Sequence, residues 1–285
     1  MRSGITLVLG GIGVKGVANV GTLQALLKNK TKIKRIVAAG LSAVAAAQFA
    51  LGRDLNLLTD HLVRFFTEHQ RQLWGLERFS GITRSHRRRV VESFSYFLRE
   101  RLFCKANFTR LSILSWDLIE GELQEFFGNA TFSDLRVPLA ISAIDLKRGT
   151  EVLLEGGSLV DRLKAGVAFP GLFPPVRIEY QELVSSTLYC ELPLGRLGEM
   201  DRPIVAIDIP SRVSLQNPKS IIDSLACVDE LRSLAIKQIL LTKADRVFCL
   251  EGLREFKWAS YEKIPQLISQ AYQEMDNLLC SCSDL

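Results

Sequence analysis

Apolar, β-branched runs at 5–9, 33–38, 137–144, 151–154, 175–178, 203–209 and 245–250 predict strands. Several lack polar alternation, which is the pattern of strands covered on both faces in a parallel sheet. Helical periodicity fills the intervals at about 16–29, 42–51, 54–70, 84–103, 115–127, 158–167, 219–242 and 263–280, and "FPGLFPP" at 169–175 reads as a loop. Alternating strands and helices predict a three-layer α/β/α sandwich with a mainly parallel central sheet. The segment 54–127 breaks that alternation: it is almost all helix, rich in Arg, Phe and Trp, and is expected to form a helical cap or flank of the cleft.

A chain of 285 residues can bury one large core, and 47% apolar with 24% charged residues is an ordinary globular balance, so a single domain over 1–285 is expected. The net charge of +5 is uneven. Arg2, Lys15, Lys28, Lys30, Lys32, Lys34, Arg35 and Arg53 fall within the first 53 residues, which contain no acid, so the remainder carries −3. Two readings of "KNKTKIKR" stand, a solvated loop beside a helix C-terminus and a peripheral contact with membrane phosphates. The second basic run, "RSHRRR" at 84–89, has no interleaved aromatics to stack on bases, so no nucleic-acid partner is expected. "IVAAGLSAVAAAQFALG" at 36–52 is too short and too rich in Ala and Gly to span a bilayer. The six cysteines, Cys104, Cys190, Cys227, Cys249, Cys280 and Cys282, form no CxxC pair, and with three histidines there is no metal-ligand spacing. No metal and no cofactor are expected. The chain enters a strand at once without the pattern of a secretion signal, so a cytoplasmic location is expected, with or without contact to a membrane.

Candidate chemistry begins at "LVLGGIGVKGVANVG", residues 7–21, where a buried strand runs into glycines and then a helix. Such a turn serves a dinucleotide pyrophosphate, a P-loop phosphate or the oxyanion of ester cleavage. A dinucleotide site needs an acid about twenty positions on to hold the ribose, and none precedes Asp54. Arg35 stands at about the distance an NADP site would use, but it enters its strand instead of following it. A P-loop fails because Val17 and Ala18 stand where Lys and Ser or Thr are required.

An oxyanion turn calls for a nucleophile on a neighbouring strand-to-helix turn, and "VAAGLSAVAAA" supplies Ser42 two residues after Gly40. A serine there also serves as a plain helix cap. No histidine follows His86, which excludes the α/β-hydrolase order of Ser, acid, His, and His61, His69 and His86 are explained by helical periodicity. Taken with "VPLAISAIDLKRGTEVLLEGGSLVDRLKAGVAFPGLFPPV" at 137–176 and the later "RPIVAIDIP", the chain resembles patatin-like phospholipases, lipid acyl hydrolases with a Ser-Asp dyad. The resemblance puts Ser42 on the nucleophile, Gly11, Ile12 and Gly13 on the oxyanion turn, and Gly40 and Val44 on the elbow.

Three positions depart from that pattern. Ser185, with Ser186 and Thr187, stands where the family has Asp-Gly-Gly or Asp-Gly-Ala, so the dyad acid is missing. Loss of a positioned base costs roughly 10²–10⁴ in rate, about 3–5 kcal/mol. Val44 replaces the closing glycine of the elbow, and Ile12 the middle glycine of the turn, where it would be strained if that position needs φ above zero. Glu182 faces away from Ser185 in an extended strand, Glu191 is the candidate substitute base, and the resemblance makes Asp145 and Asp208 structural. Two functions follow as expectations: a serine acyl hydrolase on lipid esters with weak or lost activity, and a catalytically silent relative that binds lipid or a partner protein.

Overall fold

The computed structural model describes residues 4–69, 112, 114–211 and 221–281. The helix expected at 84–103, with "RSHRRR" and His86, lies outside them. Eight strands form one sheet: β1 (Ile5–Leu9), β2 (Ile33–Ala39), β3 (Leu139–Asp145), β4 (Thr150–Leu154), β5 (Val176–Ile178), β6 (Gln181–Ser185), β7 (Ile204–Asp208) and β8 (Arg246–Cys249). Their order is β5-β6-β3-β2-β1-β7-β8, with β4 on the other edge of β3. β1 pairs in parallel with β2 and β7, β2 with β3, and β7 with β8, while β4, β5 and β6 join antiparallel. The mainly parallel sheet follows from the unbroken apolar strands. Along β1, Leu7 and Leu9 enter the larger core and Val8 the smaller one on the opposite face, all fully buried. Each such side chain contributes about 1.5–3 kcal/mol by leaving water.

The larger core is covered by α1 (Asn19–Lys28), α2 (Ser42–Ala50), α3 (Leu55–Glu68), α4 (Glu120–Phe127), α5 (Leu159–Val167) and α7 (Ile264–Cys280). The smaller core is closed by Leu192, Leu194 and Leu197 together with Leu240 and Leu241 of α6 (Ile221–Leu241). Local signals set the ends of the helices. Asp54 caps α3 by accepting from the Asn56 amide at 2.9 Å, and Ser158 caps α5. Leu55, Leu58, Leu62, Phe65 and Phe66 then recur at helical spacing along the buried side of α3.

Two details differ from the sequence expectation. The helix expected from residue 16 begins as a 3-10 turn over Gly13–Ala18 before α1 proper. The hairpin that pairs β6 was not foreseen, although Glu182 to Ser185 was read as extended, because the chain turns from β5 at Glu179-Tyr180 with no Asn or Gly to mark it, and Glu179 takes a φ of 55°. That strand matters to the site. The first four residues of β3 pair with β2, and its last three pair with β6 on the same edge, so Ser185, opposite Ala143, arrives just beyond the end of β2.

Candidate active site

The end of β1 turns through Gly11 and Gly13, whose φ values are 134° and 59°. Ile12 between them has φ −76° and ψ 131°, ordinary extended backbone, so the strain considered for it does not arise. Asn19 holds the turn by donating to Gly10 O at 2.8 Å and Gly16 O at 3.2 Å. The Val14 N–H donates to Trp258 O at 2.8 Å, and among the described residues none accepts from the Ile12 N–H. The Ile12 N–H is thus left available at the end of β1, beside two glycines in positive φ.

At the end of β2 the geometry departs from the sequence reading of Ser42. The left-handed residue of the strand-to-helix bend is Gly40, with φ 63°, and it lines the cavity at the sheet's C-terminal edge. Leu41 is already α-helical in φ and ψ, and Ser42 is the first residue of α2. Ser42 is fully buried and does not stand exposed at the top of the sheet. Its Oγ lies 2.5 Å from Ala39 O and 3.1 Å from Leu9 O, so its proton is shared between two backbone carbonyls. The close helix crossing is made by Gly16, where a Cβ would come within 2.9 Å of Ser42 N. Val44 turns the other way and lines a second cavity with Leu58 and Leu62 of α3, so the absent glycine at 44 is absorbed by packing.

Ser185 closes β6 and accompanies Thr187, their hydroxyls 3.1 Å apart. Ser186 is turned away, its Oγ donating to Ser142 O at 3.3 Å. Thr187 directs its methyl at the elbow: a Cβ on Gly40 would meet Thr187 Cγ2 at 2.7 Å. Glu191, the expected substitute base, is not brought to Ser42. Its carboxylate lies 2.9 Å from Lys237 Nζ, which also meets Asp208 Oδ1 at 2.5 Å. Burial acts against the Lys237 charge, but Glu191 and Asp208 outweigh it and hold the ammonium above its ordinary pKa. Asp145 accepts from the Lys147 amide at 3.0 Å, and Glu182 faces Arg177. Among the described residues, therefore, no carboxylate hydrogen-bonds Ser42.

Lys15 is also buried and donates to Pro210 O at 2.7 Å; desolvation lowers its pKa to about 8 against the pull of Glu191. Burial pushes the Cys190 and Cys249 thiols up to about 12, which leaves neither reactive at neutral pH. Among the described residues there is no group of three metal-ligating side chains, and no helix is long and apolar enough to cross a membrane.

The cavity itself measures about 100 Å³ and has Gly13, Gly40, Ser185 and Thr187 at one end, with Phe65, Phe66, Leu172 and Phe173 among its walls. A second cavity of about 70 Å³ shares Leu41, Phe65, Phe66, Ile119 and Val167 with it and runs between α3 and α4. Phe65 and Phe66 of α3 line both cavities, and Leu123 and Phe127 of α4 line the second.

The sequence profile described as Patatin-like phospholipase matches residues 7–193, the stretch that contains the glycine turn, the elbow and β6. The chain belongs to the patatin-like phospholipase family. Among its curated relatives is the NTE family protein Mb2594 of Mycobacterium bovis, 24% identical over 204 residues, which are 71% of this chain and 30% of that protein. Another, Rv1063c of Mycobacterium tuberculosis, is 23% identical over 194 residues, 68% of this chain and 45% of that protein. The chain therefore spans less than half the length of these relatives. Among solved structures, VipD from Legionella pneumophila is similar over 98% of this chain and 67% of its own, at 13% identity and a TM-score of 0.49. The type III effector ExoU is similar over 98% and 53%, at 16% identity and a TM-score of 0.42. The nucleophile of a G-x-S-x-G elbow sits on the sharp, strained residue of a strand-to-helix turn, and the residue with that left-handed conformation at the end of β2 is Gly40. The signal that could have found it was the end of the apolar run at Ala39: a glycine next in line is the residue suited to a left-handed bend.

Proposed function

We propose that this patatin-like chain binds acyl lipid in its cleft without appreciable hydrolysis. The observation that carries this function is Gly40 at the left-handed apex of the elbow, a position with no side chain and hence no nucleophile. Three further features support it. Ser42 spends its proton on Ala39 O and Leu9 O, the acid position holds Ser185, and Glu191 is engaged by Lys237. Meanwhile the glycine turn at 11–13 stands beside an apolar cavity, which suits uptake of an acyl chain. Part of the basic N-terminal region is paired within the protein: Lys28 with Asp276 at 2.7 Å, and Lys34 with Arg202 O at 2.6 Å.

The test compares fluorophosphonate labelling and short-chain ester hydrolysis in the wild type, Ser42→Ala, and the triple variant Gly40→Ser, Ser185→Asp, Thr187→Gly. The wild type and Ser42→Ala should be equally inert, and the triple variant should label and turn over. Labelling of the wild type that disappears in Ser42→Ala would establish the serine acyl hydrolase instead and end this proposal.

A further inference from the structure

Helix α6 carries more apolar surface than its packing uses. Its sequence, IIDSLACVDELRSLAIKQILL, is dominated by Ile, Leu, Val, Ala and Cys, yet none of its described side chains is buried. A helix so apolar on every side belongs within a larger core. The side toward the sheet sets Leu240 and Leu241 on the smaller core and Lys237 on Glu191 and Asp208. The outward side exposes Leu225 by 51%, Val228 by 65%, Leu231 by 47% and Ile239 by 68%, and Ala235 is exposed between them. Positions 225, 228, 232, 235 and 239 advance by three and four in turn, the spacing of a coiled-coil seam, and only Arg232 among them is polar. A stripe this narrow fits one other helix. A bilayer contact would want Lys or Arg along its borders, where this helix has Ser224, Gln238 and Asp229.

We propose that α6 docks antiparallel on α6 of a second copy of this chain, about a two-fold axis level with Glu230. In that register Leu225 of each copy faces Ala235 of the other, large against small, and Val228 faces Arg232. The two copies of Leu231 meet on one flank of the axis. On the other flank each Arg232 reaches Asp229 of the facing helix. The charges decide the direction. Within one helix Arg232 already meets Asp229 at 2.5 Å, so an antiparallel pair gathers two arginines and two aspartates around the axis with alternating sign. Parallel docking would stack Arg232 on Arg232 inside the seam. A helix of another protein would have to supply both the acid beside Arg232 and the small residue opposite Leu225, and α6 supplies both itself. The contact is about 31 Å long and roughly 10 Å wide, well short of the ~800 Å² per partner of a tight complex. The dimer is therefore reversible, with dissociation at about 10–100 µM. No residue of α6 lines either cavity, so the inference is independent of what the cleft binds.

Sedimentation velocity over about 1–500 µM should show the wild type passing from monomer to dimer. Val228→Arg sets a second arginine against Arg232 in two symmetric layers and should weaken association by about tenfold or more. Val228→Glu sets an acid there and should leave association unchanged or tighten it by several-fold. Val228→Arg combined with Arg232→Glu should restore what Val228→Arg alone removes. Weakening by Val228→Glu as great as by Val228→Arg would overturn the antiparallel register, because a parallel pair sets residue 228 against itself. Association indifferent to both substitutions, or a monomer up to the highest concentration, would overturn docking through α6. Since Val228 is exposed, all variants should melt within about 2 °C of the wild type at the lowest concentration. A large drop there would mean that Val228 is covered within a single chain, and would overturn the proposal as well.

Discussion

Ser42→Ala separates a catalytic from a structural serine because the two roles move stability in different directions. The Ser42 hydroxyl is fully buried and shared between Ala39 O at 2.5 Å and Leu9 O at 3.1 Å, so it ties the start of α2 to the C-terminal ends of β1 and β2. Removing it deletes one hydrogen bond and leaves a buried carbonyl short of a donor, at a cost of about 1–2 kcal/mol. For a domain of this size that lowers the melting temperature by roughly 2–6 °C. Urea titration should show a lower midpoint at constant m-value, and scanning fluorimetry the matching shift. Ester hydrolysis and fluorophosphonate labelling should not change from the wild-type background. Unchanged or raised stability together with a loss of labelling would refute this, since it would mean that the hydroxyl is held free for chemistry.

Four further outcomes follow from neighbouring contacts. Gly40→Ser should destabilise through the left-handed φ of 63° and the 2.7 Å approach of Thr187 Cγ2, and Thr187→Gly should relieve part of that cost, a coupling of about 1–3 kcal/mol in a double-mutant cycle by urea unfolding; simple additivity would contradict the steric pairing. Lys237→Met strands the Glu191 and Asp208 carboxylates in a mostly buried site and should cost about 3–5 kcal/mol, more than Glu191→Gln, as compared by urea midpoints. Lys15, lowered to about 8 from 10.5, is protonated in both states below pH 8, whereas between pH 8 and 10.5 the unfolded chain holds a proton that the folded chain has released. The stability of the wild type relative to Lys15→Met should therefore climb by up to about 3 kcal/mol across that window, and a flat difference would refute the burial of its charge. Gly16→Ala brings a Cβ within 2.9 Å of Ser42 N, against backbone that cannot swing aside, and should cost about 1–3 kcal/mol by the same titration.

The fold was legible because the parallel strands are apolar on both faces. Ile5–Leu9, Ile33–Ala39 and Ile204–Asp208 announce themselves without reference to neighbours, and Asp54 and Ser158 mark helix starts by chemistry that is local to them. The pairing of β6 was not legible, since Gln181–Ser185 is short and its turn depends on a Glu in the left-handed region that no sequence rule requires. The site was half legible for a related reason. Spacing pointed to the strand-to-helix turn after β2, and the absence of a carboxylate at 185 was visible, but a Gly-x-Ser spacing does not say which residue takes the left-handed bend. That is decided by where β2 stops pairing: Ala39, opposite Ser142, is its last partner, so the next residue must make the turn. The partner of Glu191 was out of reach, since Lys237 is 46 residues away and meets it only through the packing of α6.

Gly40 and Thr187 are steric complements. A serine at the apex would need the space that the Thr187 methyl now fills, and a glycine at 187 would leave a void beside the bare Gly40 Cα. Voids in a packed interior forfeit contacts on all their walls, so each residue is favoured by the presence of the other. Reversal of either alone is penalised, by overlap in one direction and by a cavity in the other. On the proposed function, this packing is the reason turnover should return only when the elbow, the acid and residue 187 change together.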